Sequence, residues 1–303
     1  MTIPSSLRAL LSGLIDYAGL FPPARLDMQT AVRNYSAYRR GDHSWMLGRV
    51  IIPAARLDEF ESAAAGLFPR QRDDEPWQVS LLGSDDPGHD AELIFGFNER
   101  HAKTAAGRAV IDTLEVAAGT VAEIEALVRS APPGVTVYVE IPIKSDPIDL
   151  VAALDGMNAR AKVRTGGIEP DAFPAIGNLA RVIQRTAALG VPFKATAGLH
   201  HPLRGMYPLT YEPNSISGTM YGYLNLFLAA LFAHAGAGLD ELEAILTEGD
   251  HTRIRFDEGG VAWGGRRADV DDVVRLRARG ATTFGSCSFT EPVDELQALG
   301  VTP

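Results

Sequence analysis

The chain has 303 residues, 46% of them hydrophobic and 22% charged, with a formal net charge of −10. That length suits one large α/β barrel or two small domains, and the composition is that of a chain able to bury a sizeable core. The acidic balance argues against a general nucleic-acid surface, which needs clustered cations, and no basic run offsets it. The only cysteine, Cys287, excludes an intrachain disulfide framework and fits a reducing compartment. Asp16 interrupts the apolar stretch near the N-terminus, which therefore lacks a signal-peptide core. The most apolar segment, Tyr221–Ala235, is too short to span a bilayer and contains Asn225 and His234. The expectation is a cytoplasmic protein with no nucleic-acid or membrane partner.

Taken in chain order, residues 5–12 read as a short helix, and GLIDYAGLF over Gly13–Phe21 reads as a strand stopped by Pro22 and Pro23, although this stretch is also compatible with a helix. A helical pattern covers 27–40. LGRVIIPA over Leu47–Ala54 is the second strand, with a helix near 57–66 after it. WQVSLLG over Trp77–Gly83 is the third, followed by mostly helical residues 90–106. VIDTLEVA over Val110–Ala117 and TVYVEIPI over Thr136–Ile143 are the fourth and fifth, with helices over 120–130 and 147–155. The sixth strand lies in ARAKVRTGG (Ala159–Gly167), the seventh in VPFKATAGLH (Val191–His200), and a helix near 171–189 separates them. TTFGSCSF over Thr282–Phe289 completes the count.

Strand-then-helix alternation with short apolar strands is the pattern of parallel strands joined by helical crossovers. Eight such units predict a closed (β/α)8 TIM barrel, a single domain over 1–303. An open doubly wound sheet is the alternative, but no G-x-G-x-x-G follows any strand. Strands seven and eight are far apart in sequence, which predicts an insertion over 200–268. It opens with the turn-rich, aromatic HHPLRGMYPLTYEPNSISG, read as a lid or substrate loop. It continues with an apolar helix over 221–235, read as packing or a subunit contact, and a second helix over 240–247. A hairpin follows in RIRFDEGGVAWGG, turning at Glu258–Gly260, and then a helix over 269–279.

Lysine usage points to chemistry. The chain has four lysines against twenty-four arginines, and two of the four, Lys162 and Lys194, close neighbouring apolar strands. Of these two cationic side chains, only lysine can lose its proton near neutral pH and attack a carbonyl. An ordinary lysine pKa is about 10.4, and burial beside a second cation lowers it. The lysines are expected to meet in one pocket, with Lys162 free to form an imine.

The strand ends LIDYAGLFPP, VIDTLEV, VYVEIPI, KVRTG, KATAG and TFGSCS, in that order, resemble the deoxyribose-phosphate aldolase family of Schiff-base (class I) aldolases. The resemblance spans residues 14 to about 290 and leaves out the insertion. It implies a cofactor-free lyase that cleaves or forms a carbon–carbon bond. Lys162 would form the imine, Lys194 would tune it, and Asp112 would relay protons. Asp16 and Glu140 would orient the lysines or a substrate hydroxyl. Thr165, Gly166 and Gly198 would shape the substrate site, and Gly285, Ser286 and Ser288 would offer phosphate donors. Two departures stand out. Arg164 occupies a place where the family has a small hydroxyl residue and would favour a carboxylate or phosphate. LHHP replaces the family's glycine-rich phosphate turn, placing His200 and His201 at the mouth. The expected partner is a small carbonyl compound, with a homo-oligomer possible. A metal-dependent barrel enzyme using His200 and His201, and a non-catalytic binding barrel, are the alternatives.

Overall fold

The structure, a computed structural model, describes residues 3–103, 105–157 and 159–300. Seven strands follow one another around the barrel wall: β1 (Ile15–Tyr17), β2 (Leu47–Pro53), β3 (Trp77–Leu82), β4 (Ala109–Ala117), β5 (Thr136–Glu140), β6 (Ala159–Arg164) and β7 (Phe193–Thr196). After β7 come a two-stranded hairpin, β8 (Gly205–Pro208) and β9 (Ser217–Met220), and a small antiparallel sheet, β10 (Ile254–Asp257), β11 (Gly260–Trp263) and β12 (Arg266–Asp269). The last strand, β13 (Ala281–Ser286), pairs in parallel with both β7 and β1 and closes the eight-stranded barrel. The fold is the (β/α)8 TIM barrel. The ambiguous first segment is a strand of only three residues, held on both sides by β2 and β13.

Several of the crossover helices begin at side-chain caps. Thr120 and Glu123 form a reciprocal capping box at Val121–Ser130, Asp269 and Asp272 do the same at Val270–Arg279, and Asp27 caps Met28–Tyr38. The helix expected over 90–106 is Pro87–His101; residue 104 of that stretch lies outside the described residues. The apolar helix Tyr223–His234 is buried on nearly every face. Tyr223 stacks on Phe284 of β13 with ring centroids 5.1 Å apart. On its other sides lie the helices Ile176–Leu189 and Leu239–Leu246. A helix covered all round has no need of a polar stripe, which explains its continuous hydrophobicity. Among the described residues no helix is long and apolar enough to cross a membrane.

Candidate active site

Parallel pairing of β6 with β7 places Lys162 directly opposite Lys194. The two-residue period of a strand then sends both side chains to the same inner face. Both are buried, Lys162 at 5% exposure and Lys194 at 1%. The Nζ of Lys194 donates to Asp16 Oδ2 and to Glu115 Oε1, each at 2.6 Å. Lys162 Nζ lies 3.0 Å from Glu115 Oε2 and 3.0 Å from Glu140 Oε2. Glu115 therefore holds one lysine on each oxygen. Burial works against the charge of Lys194, but Asp16 and Glu115 outweigh it and hold its pKa well above the ordinary value. Burial likewise opposes the charge on Glu115, and Lys194 and Lys162 overcome it, so its pKa stays far below the usual carboxylate range. The second cation expected beside Lys162 is present, but a carboxylate stands between the two amines.

Sequence reasoning passed over Glu115 and singled out Asp112 on the same strand. The reason is a one-residue bulge: Ile111 pairs with Val79 and Thr113 with the next residue, Ser80, so Asp112 is extra. The bulge shifts the alternation and turns Thr113 and Glu115 inward. Asp112 instead forms a two-pronged ion pair with Arg49, Nε to Oδ1 at 2.6 Å and Nη2 to Oδ2 at 2.8 Å. Glu115, with Ser80 donating to its Oε1 at 2.7 Å, occupies the position between the lysines. No simple period in VIDTLEV reveals that bulge.

Asp16 is fully buried and accepts from Arg49 N at 2.9 Å, Thr283 Oγ1 at 2.7 Å and Lys194. Its carboxylate lies directly over Gly48, where an added Cβ would come within 2.4 Å of Oδ1. Gly48→Ala is expected to destabilise the protein by about 1–3 kcal/mol, as overpacking does, and the loss should be readable in a urea unfolding curve. An unchanged midpoint would show that Asp16 can move aside.

Lys162 reaches a cavity of about 360 Å³ at the carboxyl ends of the strands, the end where barrel enzymes build their sites. Glu115, Glu140, Arg164, Gly198, His200 and Gly285 share its lining, together with Phe21, Pro22, Pro23, Ile51 and Cys287. Arg164 Nε donates to Glu140 Oε1 at 2.8 Å. Burial raises the Glu140 pKa, but Lys162 and Arg164 prevail and lower it overall. Lys194 and Asp16 lie outside this lining.

Thr165 and Gly166 are not part of the lining either. The Thr165 hydroxyl donates to the Ala197 carbonyl at 2.6 Å and fastens the loop after β6 to the loop after β7. Ala197 has a φ of +62°, uncommon for a residue with a Cβ. Beside it Gly198, at φ +71°, passes so near Gly166 that a Cβ would lie 2.8 Å from the Gly166 Cα. Both glycines permit that close approach.

The two histidines diverge, as adjacent residues in an extended segment should. His201 turns away from the cavity: its Nδ1 lies 2.7 Å from Glu295 Oε1, and its ring stacks on Tyr207 at 3.4 Å. His201, Glu291 and Glu295 bring potential ligand atoms within 4.8 Å of one another. Each already has a hydrogen-bonding partner, Glu291 being shared by His200 and Tyr211. His200 faces the cavity, with Nδ1 3.3 Å from Ser286 Oγ, 3.3 Å from Glu291 Oε2 and 4.0 Å from Cys287 Sγ. Ser286 is thus occupied with His200, and Ser288 accepts from Glu291 N at 3.1 Å at the start of the last helix. Neither hydroxyl lines the cavity. Tyr211 brings the hairpin loop down onto this cluster, its OH 2.8 Å from Glu291 Oε2 and 3.6 Å from Cys287 Sγ.

Burial lowers the His200 pKa, but its bonds to Cys287 and Glu291 prevail and push it up to about 9. The ordinary histidine value is about 6.5, so charged His200 stabilises the folded chain in full below that pH. This contribution is lost as pH rises through about 9. Melting temperature should therefore fall more steeply between those limits in the native protein than in His200→Asn. Parallel curves would contradict the pairing with Glu291.

No family model, no curated protein and no solved structure matches this chain. The likeness to Schiff-base aldolases thus rests on the strand-end motifs.

Proposed function

We propose that this barrel is a lyase of the aldolase type, holding a small aldehyde or ketone as an imine on Lys162 while a carbon–carbon bond is made or broken. The observation that carries the proposal is the in-register pair of buried lysines, one facing the cavity and the other fixed as a cation behind it. A structural ion pair would need neither two lysines nor a cavity over one of them.

Lys162 must first lose a proton. Glu115 is a poor acceptor, because Lys194 and Ser80 hold it in the charged form. Glu140 touches the same amine and lines the cavity. It is the proton carrier in this scheme, taking the role that the sequence assigned to Asp112. The amine attacks the carbonyl carbon, the oxygen leaves as water, and the resulting iminium draws electrons from the neighbouring carbon–carbon bond. Lys194 sets the local field and keeps Glu115 in place. His200, charged below about pH 9, offers a donor to a substrate oxygen on the cavity wall.

Imine formation and hydrolysis swap a ketone's oxygen for one from water. Incubation of simple ketones in heavy-oxygen water, read by mass spectrometry, tests this step alone. The native protein should accelerate the exchange and Lys162→Met should not. Equal rates for both proteins across a range of ketones would refute the proposal.

A further inference from the structure

We infer that the substrate carries a carboxylate near its carbonyl, and that Arg164 recognises it by giving up Glu140, which is then free to take the proton of Lys162. The inference rests on the imine proposal and adds to it a substrate class, a specificity residue and a trigger for the amine.

Glu140 is shared between two cations. Its Oε1 accepts from Arg164 Nε at 2.8 Å, and its Oε2 lies 3.0 Å from Lys162 Nζ. The three members differ in freedom: the side chain of Lys162 is 6% exposed and that of Glu140 21%, whereas that of Arg164 is 53% exposed. Arg164 is therefore the member that can exchange partners. Among the described residues it bonds Glu140 through Nε alone. The two-pronged grip that a guanidinium offers a carboxylate is thus unspent. An incoming carboxylate competes for Arg164 against a single bond, on the cavity wall beside the reactive amine.

The remaining donors favour a carboxylate over a phosphate. A phosphate needs several donors, and Ser286 is taken up by His200 while Ser288 is engaged by Glu291 N in the first turn of the last helix. Neither belongs to the cavity lining, where among the described residues Arg164 is the one guanidinium, a fork suited to a planar carboxylate, with His200, besides Lys162 itself, as a single further charged donor.

Exchange at Arg164 has a direct consequence for Lys162. Arg164 is one of the two groups that hold Glu140 in its acidic range against the effect of burial. Once Arg164 turns to the substrate, burial weighs more and Glu140 becomes a better base. The Lys162 ammonium then passes a proton to Glu140. The amine lone pair forms the C–N bond as the carbonyl π pair moves to oxygen. One nitrogen proton is carried to that oxygen through Glu140, giving a neutral carbinolamine. Protonated Glu140 supplies the next proton, water departs, and the iminium remains with Glu140 again a carboxylate. Overall an ammonium and a carbonyl give an iminium and one water.

The test is the rate of borohydride trapping on Lys162 with matched probes: pyruvate against acetone, succinate semialdehyde against butanal, and dihydroxyacetone phosphate against dihydroxyacetone. Each pair is run on the native protein, Arg164→Met and Arg164→Lys. Comparing ratios between proteins cancels the intrinsic reactivity of the probes. The native acid-to-neutral ratio for at least one carboxylate pair should fall at least about tenfold in Arg164→Met, with Arg164→Lys between, since lysine keeps the charge but loses the fork. Ratios identical in all three proteins would overturn the inference and leave the imine intact. So would a preference confined to the phosphate pair. Absence of an adduct with every probe would overturn the imine proposal itself, and this inference with it.

Discussion

Lys162→Met is expected to lower the proposed carbon–carbon lyase activity by about 10⁴-fold or more, the scale on which losing a covalent nucleophile is felt, while the protein still folds. The fold should survive because the two carboxylates on Lys162 keep other partners. Glu115 retains Lys194 and Ser80, and Glu140 retains Arg164. Methionine replaces the alkyl stem at similar length, so little packing is lost. Circular dichroism and a melting curve close to those of the native protein should accompany the loss. A variant with substantial activity would show that the amine has no covalent role. A variant that fails to fold would move the residue from chemistry to architecture.

The companion substitution, Lys194→Met, has the opposite profile. It removes the cation that two buried carboxylates share, leaving Asp16 with Thr283 and the Arg49 amide, and Glu115 with Ser80 and Lys162. Breaking one side of a buried ion network costs about 3–5 kcal/mol, because uncompensated charge remains behind. In a chain of this size that corresponds to a drop in melting temperature on the order of 10 °C. Adding Asp16→Asn to Lys194→Met should recover part of the loss by removing one stranded charge. If the single variant melts like the native protein, Lys194 is not the electrostatic anchor described above.

These two lysines were the most legible part of the site. Each stands in a short apolar run followed by threonine or alanine and glycine, so their equal distance from the strand ends fixed both the register and the face. The barrel was legible for the same reason, since its strands are short apolar runs separated by helical patterns. The central carboxylate was not. Glu115 differs from any other strand glutamate only because the bulge at Asp112 shifts the alternation, and a bulge depends on pairing with β3 that the local sequence does not encode. Arg49, which captures Asp112, comes from a strand far away in sequence.

The hairpin β8–β9 and the third strand β12 were also hidden. Their residues alternate in burial but include glycine, proline and arginine, so no apolar run marks them. The last helix, Thr290–Ala298, starts with a polar turn containing Pro292 and buries only Pro292, Val293 and Leu296. Its importance to the site lies in Glu291 and Glu295, which face the two histidines. Thr165, Gly166, Ser286 and Ser288 show the converse: residues expected to touch substrate instead tie loops together, contact His200 or accept from the first turn of the last helix.

The central claim is that, of two buried lysines in register, Lys162 is the one that becomes covalent. Its most direct test is to reduce the native protein with borohydride in the presence of pyruvate and of succinate semialdehyde, then map the modified peptide by mass spectrometry. The account predicts one stable adduct per chain, on Lys162, with Lys194 unmodified because Asp16 and Glu115 keep it protonated. An adduct on Lys194 with Lys162 untouched would contradict it.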